Sequence, residues 1–287
     1  MKSRYQIDHL VIKVADLATA MADYEALGFT VLPGGEHKRF GSRNALIAFR
    51  DGSYLELIAY PKDVTIKLLG LMGQSAVVRR AVRRIKRGEG LVDWALLPTA
   101  IEEDLALARA RGLGIEGPLP ASRLRPDGLQ VSWQFGIPDH QELPFLCADV
   151  TPRAGRVPDG AARQHANGAT GIHSITVAVH DLDASVARYR ALLGIQEEAT
   201  AALAESKTGT TGLRAAFTLG STTIRLAMPL SDPASALHHQ LTTRGEGAVA
   251  FHLRSNNKNQ VGKLALPRSH GWRWQACPEQ GPSLRSG

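Results

Sequence analysis

A chain of 287 residues, 44% hydrophobic and 21% charged, has the composition of a folded protein large enough for one sizeable domain or two ordinary ones. No stretch approaches the roughly 18–20 apolar residues of a membrane helix, and the polar start MKSRYQIDHL has no apolar signal core, so a cytoplasmic protein making no use of a membrane is expected. Much of the +7 net charge comes from Arg79, Arg80, Arg83, Arg84, Lys86 and Arg87, which read as the solvated cationic end of a helix without the interleaved aromatics of a nucleic-acid platform, so no nucleic-acid partner is expected.

Residues 7–14, IDHLVIKV, are rich in β-branched residues and read as a strand. Asp16 then caps the amphipathic stretch LATAMADYEALGF, which ends at Gly28. FTVLPGG suggests a second strand, and NALIAFRDGSYLELIAYP reads as two strands turning at Asp51-Gly52. The order is β, α, β, β, β. After the basic segment, LVDWALL, the helix IEEDLALARARGL and the strands LQVSWQFGI and ELPFLCA repeat it, with Cys147 as a buried thiol in the last of them. Cys277 lies far from Cys147 and forms no CxxC pair with it, so neither a disulfide framework nor a thiolate metal site is suggested.

GIHSITVAVHDLDASVARYRALLGI at 171–195 then matches the opening segment in detail, and LRAAFTLGSTTIRLAMP supplies another strand pair. The segment Arg87-Gly88-Glu89-Gly90 is echoed by Arg244-Gly245-Glu246-Gly247. Such fixed-order self-similarity indicates duplicated supersecondary units. The expected organisation is an N-terminal half over 1–150, with modules at about 7–61 and 88–150, and a Pro/Gly/Ala-rich linker over 151–169. A C-terminal half over 170–254 and an irregular tail over 255–287 follow, the last module being incomplete. Trp272 and Trp274 would pack that tail on the domain.

IDHLVIKVADLATAMADYEALGF followed by GSYLELI is similar to the vicinal oxygen chelate superfamily, and GGEH, RNALIAF and LPFLCADVTPR resemble its glyoxalase-like domain proteins. The resemblance implies an α+β fold of tandem βαβββ modules forming cupped mixed sheets. It also implies a divalent metal held by residues from the first and last strands of the modules. His9 stands at the family's first-strand His position and Glu56 at its carboxylate position. Matching the helix starts puts Asp93 at the His9 slot of the second module, making His9, Glu56 and Asp93 the expected ligands. Oxygen and nitrogen donors without thiolate suit Mn, Fe, Ni, Co or Zn; a metal-free site is the alternative. In the third module Ser174, rather than His173, aligns with His9 and Ile224 with Glu56, so that module has no metal site.

With a small oxygenated substrate chelated in this way, proton transfer beside a carbonyl is the simplest chemistry, with Glu56 or Glu142 as base. His37, Arg43 and Asn44 in the rim loop, with its neighbour Arg39, Trp94 and His140 of the second module, and His165 of the linker are candidate substrate contacts. Two other readings stand beside this lyase or isomerase. One is an extradiol-type dioxygenase, suggested by four modules. The other is a non-catalytic binding or resistance protein whose apolar cup is lined by Trp94, Trp133, Phe135 and Phe145. A homodimer is also compatible with this family, whose members complete cups across subunits.

Overall fold

The computed structural model describes residues 4–38, 40–61, 75–203, 212–229, 235–256, 263–265 and 273–278; Arg39, Trp272 and the stretch 62–74 lie outside them. Strand β1 (Tyr5–Lys13) leads into helix α1 (Leu17–Ala26), whose N-cap Asp16 accepts a hydrogen bond from the Thr19 amide. Strands β2 (Leu32–His37), β3 (Ser42–Ala48) and β4 (Tyr54–Ala59) complete the first unit. Helix α2 (Ala76–Lys86) bridges to the second: β5 (Gly90–Pro98), α3 (Ile101–Ala110), β6 (Ile115–Leu124), β7 (Gln130–Pro138) and β8 (Phe145–Asp149).

These two units close on each other as one barrel in the order β1-β4-β3-β2-β6-β7-β8-β5. The two first strands meet antiparallel, and each unit's last strand runs parallel beside its own first strand. The opposite seam, β2 against β6, is held by the single register pair Glu36 with Leu124. Gly35 sits there with φ +131°, and a Cβ on it would lie 2.1 Å from the Leu124 carbonyl oxygen, so only glycine permits the approach.

The stretch read as a linker is ordered chain. A helical turn, α4 (Arg153–Arg156), and a 3-10 turn (Gly160–Arg163) pack it on the barrel, with Arg156, Val157 and Asn167 buried. The second half begins at β9 (Ala169–Ala178) and continues through α5 (Leu182–Leu193), β10 (Glu198–Leu203), β11 (Gly212–Leu219), β12 (Thr222–Pro229), α6 (Ala236–Arg244) and β13 (Gly247–Ser255). The expectation of an irregular tail is corrected: β14 (Lys263–Ala265) and β15 (Arg273–Pro278) extend the sheet, β15 lying parallel to β13 as β8 lies beside β5. The resulting order, β10-β11-β12-β9-β13-β15-β14, follows the plan of the barrel but, among the described residues, stays open. The α+β class and the tandem modules are therefore as expected, the last module incomplete.

Strand alternation sorts the side chains into two sets. Leu10, Ile12, Leu55, Leu57, Trp94, Leu96 and Leu146 face outward and join Ile172, Ile175, Tyr189, Phe217 and Leu226 of the second half in one continuous core. Val11, Ala95, Val131, Trp133, Phe145 and Cys147 face inward and form a second, smaller cluster. Burying the outer set requires both halves; the inner set surrounds the barrel's cavity.

Candidate active site

The barrel holds a cavity of about 220 Å³ lined by residues of β1, β2, β3, β4, β6, β7, β8, helix α2 and the turn α4. His9 and Glu56 both face it, because β1 and β4 run parallel with His9 opposite Tyr54 and Glu56 two residues beyond. His9 Nε2 lies 3.7 Å from Glu56 Oε2, and His37 Nε2 lies 3.9 Å from Glu56 Oε1.

The His9 imidazole is fixed on three sides. It stacks on Tyr54 at 4.6 Å between ring centroids, meets the edge of Phe145, and its Nδ1 lies 2.7 Å from Asp8 Oδ2. Consecutive strand residues ordinarily point to opposite faces, but a register irregularity between Ile7 and His9 lets the Asp8 carboxylate curl beside its neighbour. With Nδ1 donating to Asp8, Nε2 is left to face Glu56. Asp8 is fully buried, and burial alone would raise its carboxyl; Arg156, His9 and Arg153 outweigh that and hold it well below the usual carboxylate range.

Glu56 is likewise buried, yet the charges of His9 and His37 and a 2.6 Å hydrogen bond from Asn44 Nδ2 depress its carboxyl against the desolvation that would raise it. Burial pushes the His37 imidazole down despite Glu56. At neutral pH the cavity therefore presents an ionised Glu56 beside a neutral His37. Arg123 reaches Asn44 Oδ1 at 3.4 Å and Asn44 passes the constraint to Glu56.

The other expected residues fall elsewhere. Asp93 does not line the cavity: Arg80 grips it with two hydrogen bonds and Arg84 with a third. Although burial would raise it, these guanidiniums hold its carboxyl far down. The strand pairing explains the error, since Ala95 pairs with both His9 and Phe145, and Phe145 lies beside Ala95 as Tyr54 lies beside His9. Ala95 is thus the second unit's counterpart of His9, and Cys147, two residues past Phe145, the counterpart of Glu56. The same reasoning replaces Ile224 by Arg225 in the third unit, because Ser174 pairs with Thr223.

Glu142 is fully buried outside the cavity, accepting from Arg188 at 2.5 Å on the second half. Trp94 points into the outer core, Arg43 and His140 are exposed, and His165 wedges between Phe29 and Phe49 while hydrogen-bonding the Thr30 amide and facing the Ala48 carbonyl. His37 lines the cavity, and Asn44 lies just behind Glu56. Of the aromatics assigned to the cup, Trp133, Phe135 and Phe145 are there.

Sequence reasoning missed the cations. Arg80 and Arg84 of α2, Arg123 of β6 and Arg156 of α4 all line the cavity, and Arg80 is 4% exposed rather than solvated. Their four-residue spacing, with Val77 and Ala81 on the same helical face, was the available signal. Asp8 and Arg156 carried none, since a bulge and a distant ion pair lie behind them.

A divalent ion would find His9 Nε2, His37 Nε2 and Glu56 nearby. Among the described residues, however, no group of three or more His, Cys, Asp or Glu side chains is arranged to hold a metal. Ala95 offers no donor. Burial pushes the Cys147 thiol well up, which keeps it protonated and a poor ligand. Asp93 is spent on two arginines, and among the described residues four guanidiniums share the space with one carboxylate. The donor set does not fit a tightly held divalent cation.

A family profile described as glyoxalase-like domain matches residues 7–193. No curated protein sequence matches the chain. Among solved structures, a hypothetical protein from Staphylococcus aureus superposes with TM-score 0.70 at 14% identity, over 96% of this chain and 100% of that one. A triple mutant of 4-hydroxymandelate synthase from Streptomyces coelicolor gives TM-score 0.54 at 15% identity, over 88% and 72%. A xylose isomerase-like TIM barrel/4-hydroxyphenylpyruvate dioxygenase fusion protein gives 0.50 at 14%, over 90% and 38%. At these identities the likeness is one of fold.

Proposed function

The chain belongs to the glyoxalase-like domain family, within the vicinal oxygen chelate superfamily, and on that premise we propose that it is an enzyme of lyase or isomerase type, moving a proton beside a carbonyl of a small oxygenated substrate. The observation that carries the reading is the His9–Glu56 pair, 3.7 Å apart in the barrel's cavity with Asp8 on the far nitrogen of the imidazole. A buried carboxylate behind a histidine sets its tautomer and steadies the positive charge it gains on accepting a proton.

In this mechanism the pair takes the proton from the carbon next to the carbonyl. The electron pair left behind moves onto the carbonyl oxygen as an enolate, and the proton returns to a different position or a leaving group departs. Arg84 and Arg123, both close enough to Glu56 to bias its charge, supply the positive field for that oxygen. The apolar side chains around the site, Trp133, Phe135 and Phe145 among them, lower the local dielectric, which strengthens the field. Divalent metal is no part of this scheme, so chelator-treated protein is expected to keep its activity.

The test is deuterium uptake from heavy water into a panel of small carbonyl compounds, followed by proton NMR. Glu56→Gln and His9→Gln are each expected to slow exchange by about a hundredfold or more. Exchange that survives both changes, or that vanishes with chelator and returns with Mn or Zn, would reject this mechanism. The binding-protein reading is supported by the aromatic wall of Tyr54, Trp133, Phe135 and Phe145; saturable binding without exchange of any panel member would favour it.

A further inference from the structure

We infer that the cavity selects a monoanionic carboxylate carrying one aromatic or similarly flat apolar ring, with the α2 guanidiniums as its anion site. The inference rests on the cavity being the substrate site proposed above.

Charge pairing is the first observation. Arg80 and Arg84 share one carboxylate, Asp93, so this trio keeps one surplus positive charge. Arg123 donates only to neutral acceptors, the Asn44 side chain and the Arg156 carbonyl, and contributes a second. Arg156 is matched by Asp8 and Asp149, with Arg153 in the same cluster. Against the two surplus charges the buried lining sets, among the described residues, one carboxylate, Glu56; Lys38 also lines the cavity but is exposed, where solvent screens it. One further negative charge brings the buried site to balance. A dianion overshoots it, and a neutral ligand leaves a buried cation uncompensated.

Unpartnered donors are the second observation. Arg80 Nη1, Arg123 Nε and Trp133 Nε1 are buried and make no hydrogen bond, on side chains that line the cavity and are 4%, 4% and 5% exposed. Buried N–H groups without acceptors are rare and costly. Three of them on side chains that line one cavity leave unmet donor capacity in its wall, which a small side-chain shift would turn toward an acceptor.

Shape supplies the ring. Trp133, Phe135 and Phe145 form a run of edge-to-face contacts with centroids 6.0 and 5.4 Å apart, and the Arg84 guanidinium sits 4.7 Å over the Phe145 ring. A dry pocket of about 150 Å³ accommodates benzene, so 220 Å³ holds a phenyl ring with a short acidic chain. Ring and acid thus meet at β8 and α2, beside the His9–Glu56 pair.

The experiment compares phenylacetate with its neutral isostere phenylacetamide and with the dianion phenyl phosphate, by titration calorimetry on the full chain. The acid is expected to bind about tenfold or more tightly than the amide, since a desolvated charge-assisted pair is lost with the charge, and the dianion is expected to bind more weakly than the acid. Arg84→Gln should collapse the acid preference to about threefold or less. That variant leaves Arg80 bidentate on Asp93, so no buried carboxylate is orphaned. Trp133→Phe, which removes the indole donor together with part of the ring surface, should weaken both ligands but the acid more than the amide. Equal affinity for acid and amide, a dianion preference, an acid preference untouched by Arg84→Gln, or no saturable binding of either would overturn the inference. Glu56→Gln should abolish exchange yet hold phenylacetate at least as tightly, because a like charge is gone; acid-selective binding in a wild type that exchanges nothing would sink the catalytic reading alone.

Discussion

Asp8 governs whether His9 can work. Its carboxylate is surrounded by His9 Nδ1, two nitrogens of Arg156 and one of Arg153. Asp8→Asn removes the charge that these partners face while nearly keeping the shape. Asp149 still meets Arg156, but the buried guanidinium loses one of its two counter-ions, and breaking such a pair costs about 3–5 kcal/mol. We expect the urea midpoint to fall accordingly. Exchange activity should fall in protein that is still folded, because an amide oxygen no longer steadies a charged imidazole. An Asp8→Asn protein with wild-type activity would assign Asp8 a purely structural role. At this scale the sequence showed His9 and Glu56 well: polar residues in apolar strands, set by period-two alternation. It misplaced Asp93 by one alternation, since strand bulges shift the count between a helix start and a strand residue, as the irregularity between Val11 and Ile12 illustrates.

Two elements decide whether there is a cavity at all. The β2–β6 seam closes the barrel through one register pair, and Gly34 and Gly35 make it possible. A Cβ at Gly35 would collide with the Leu124 carbonyl, and one at Gly34 would lie 2.2 Å from Asn44 Oδ1, the amide that orients Glu56. Gly35→Ala combines a backbone conformation that alanine disfavours with a clash against main chain. It is expected to lower stability by about 2 kcal/mol or more and to speed hydrogen exchange of the β2 and β6 amides, leaving the β1–β5 seam protected. Unchanged protection along β2 would show that the seam tolerates the extra carbon. Helix α2 is the other decisive element. Its sequence advertised a cationic helix, but not which side the cations face. Four arginines within six residues look solvated until Asp93, Phe145 and the cavity are known to lie beneath two of them.

The two halves share one outer core, reinforced across the junction by Arg188 on Glu142, Tyr189 on the Glu142 carbonyl, and Arg254 on Asp51. Heat should therefore unfold the protein in one transition whose midpoint depends on pH. His37, His165 and His252 are all held below the ordinary histidine value of 6.5, chiefly by burial. As pH falls through that value the unfolded chain takes up protons first, so stability drops. The loss levels off once the folded histidines also titrate. A second loss sets in below about pH 4, where the unfolded chain protonates carboxylates that Asp8, Glu56 and Asp93 keep ionised in the fold. A melting temperature that stays flat from pH 7.5 to 5 would contradict the first step, and separate transitions for the halves would contradict the shared core.

The amino-acid order by itself determined the βαβββ units, their duplication, the family, and the presence of His9 and Glu56 on inward-facing positions, because these depend on local periodicity and on motifs a few residues long. Tertiary structure alone decided that units one and two close on each other and that Asp93 and Glu142 belong to ion pairs. It also decided that Asp8 backs His9 and that arginines from α2, β6 and α4 surround the cavity. Each of these is a relation between residues tens of positions apart, whose charges and donors find partners only when the barrel brings them within a few ångströms.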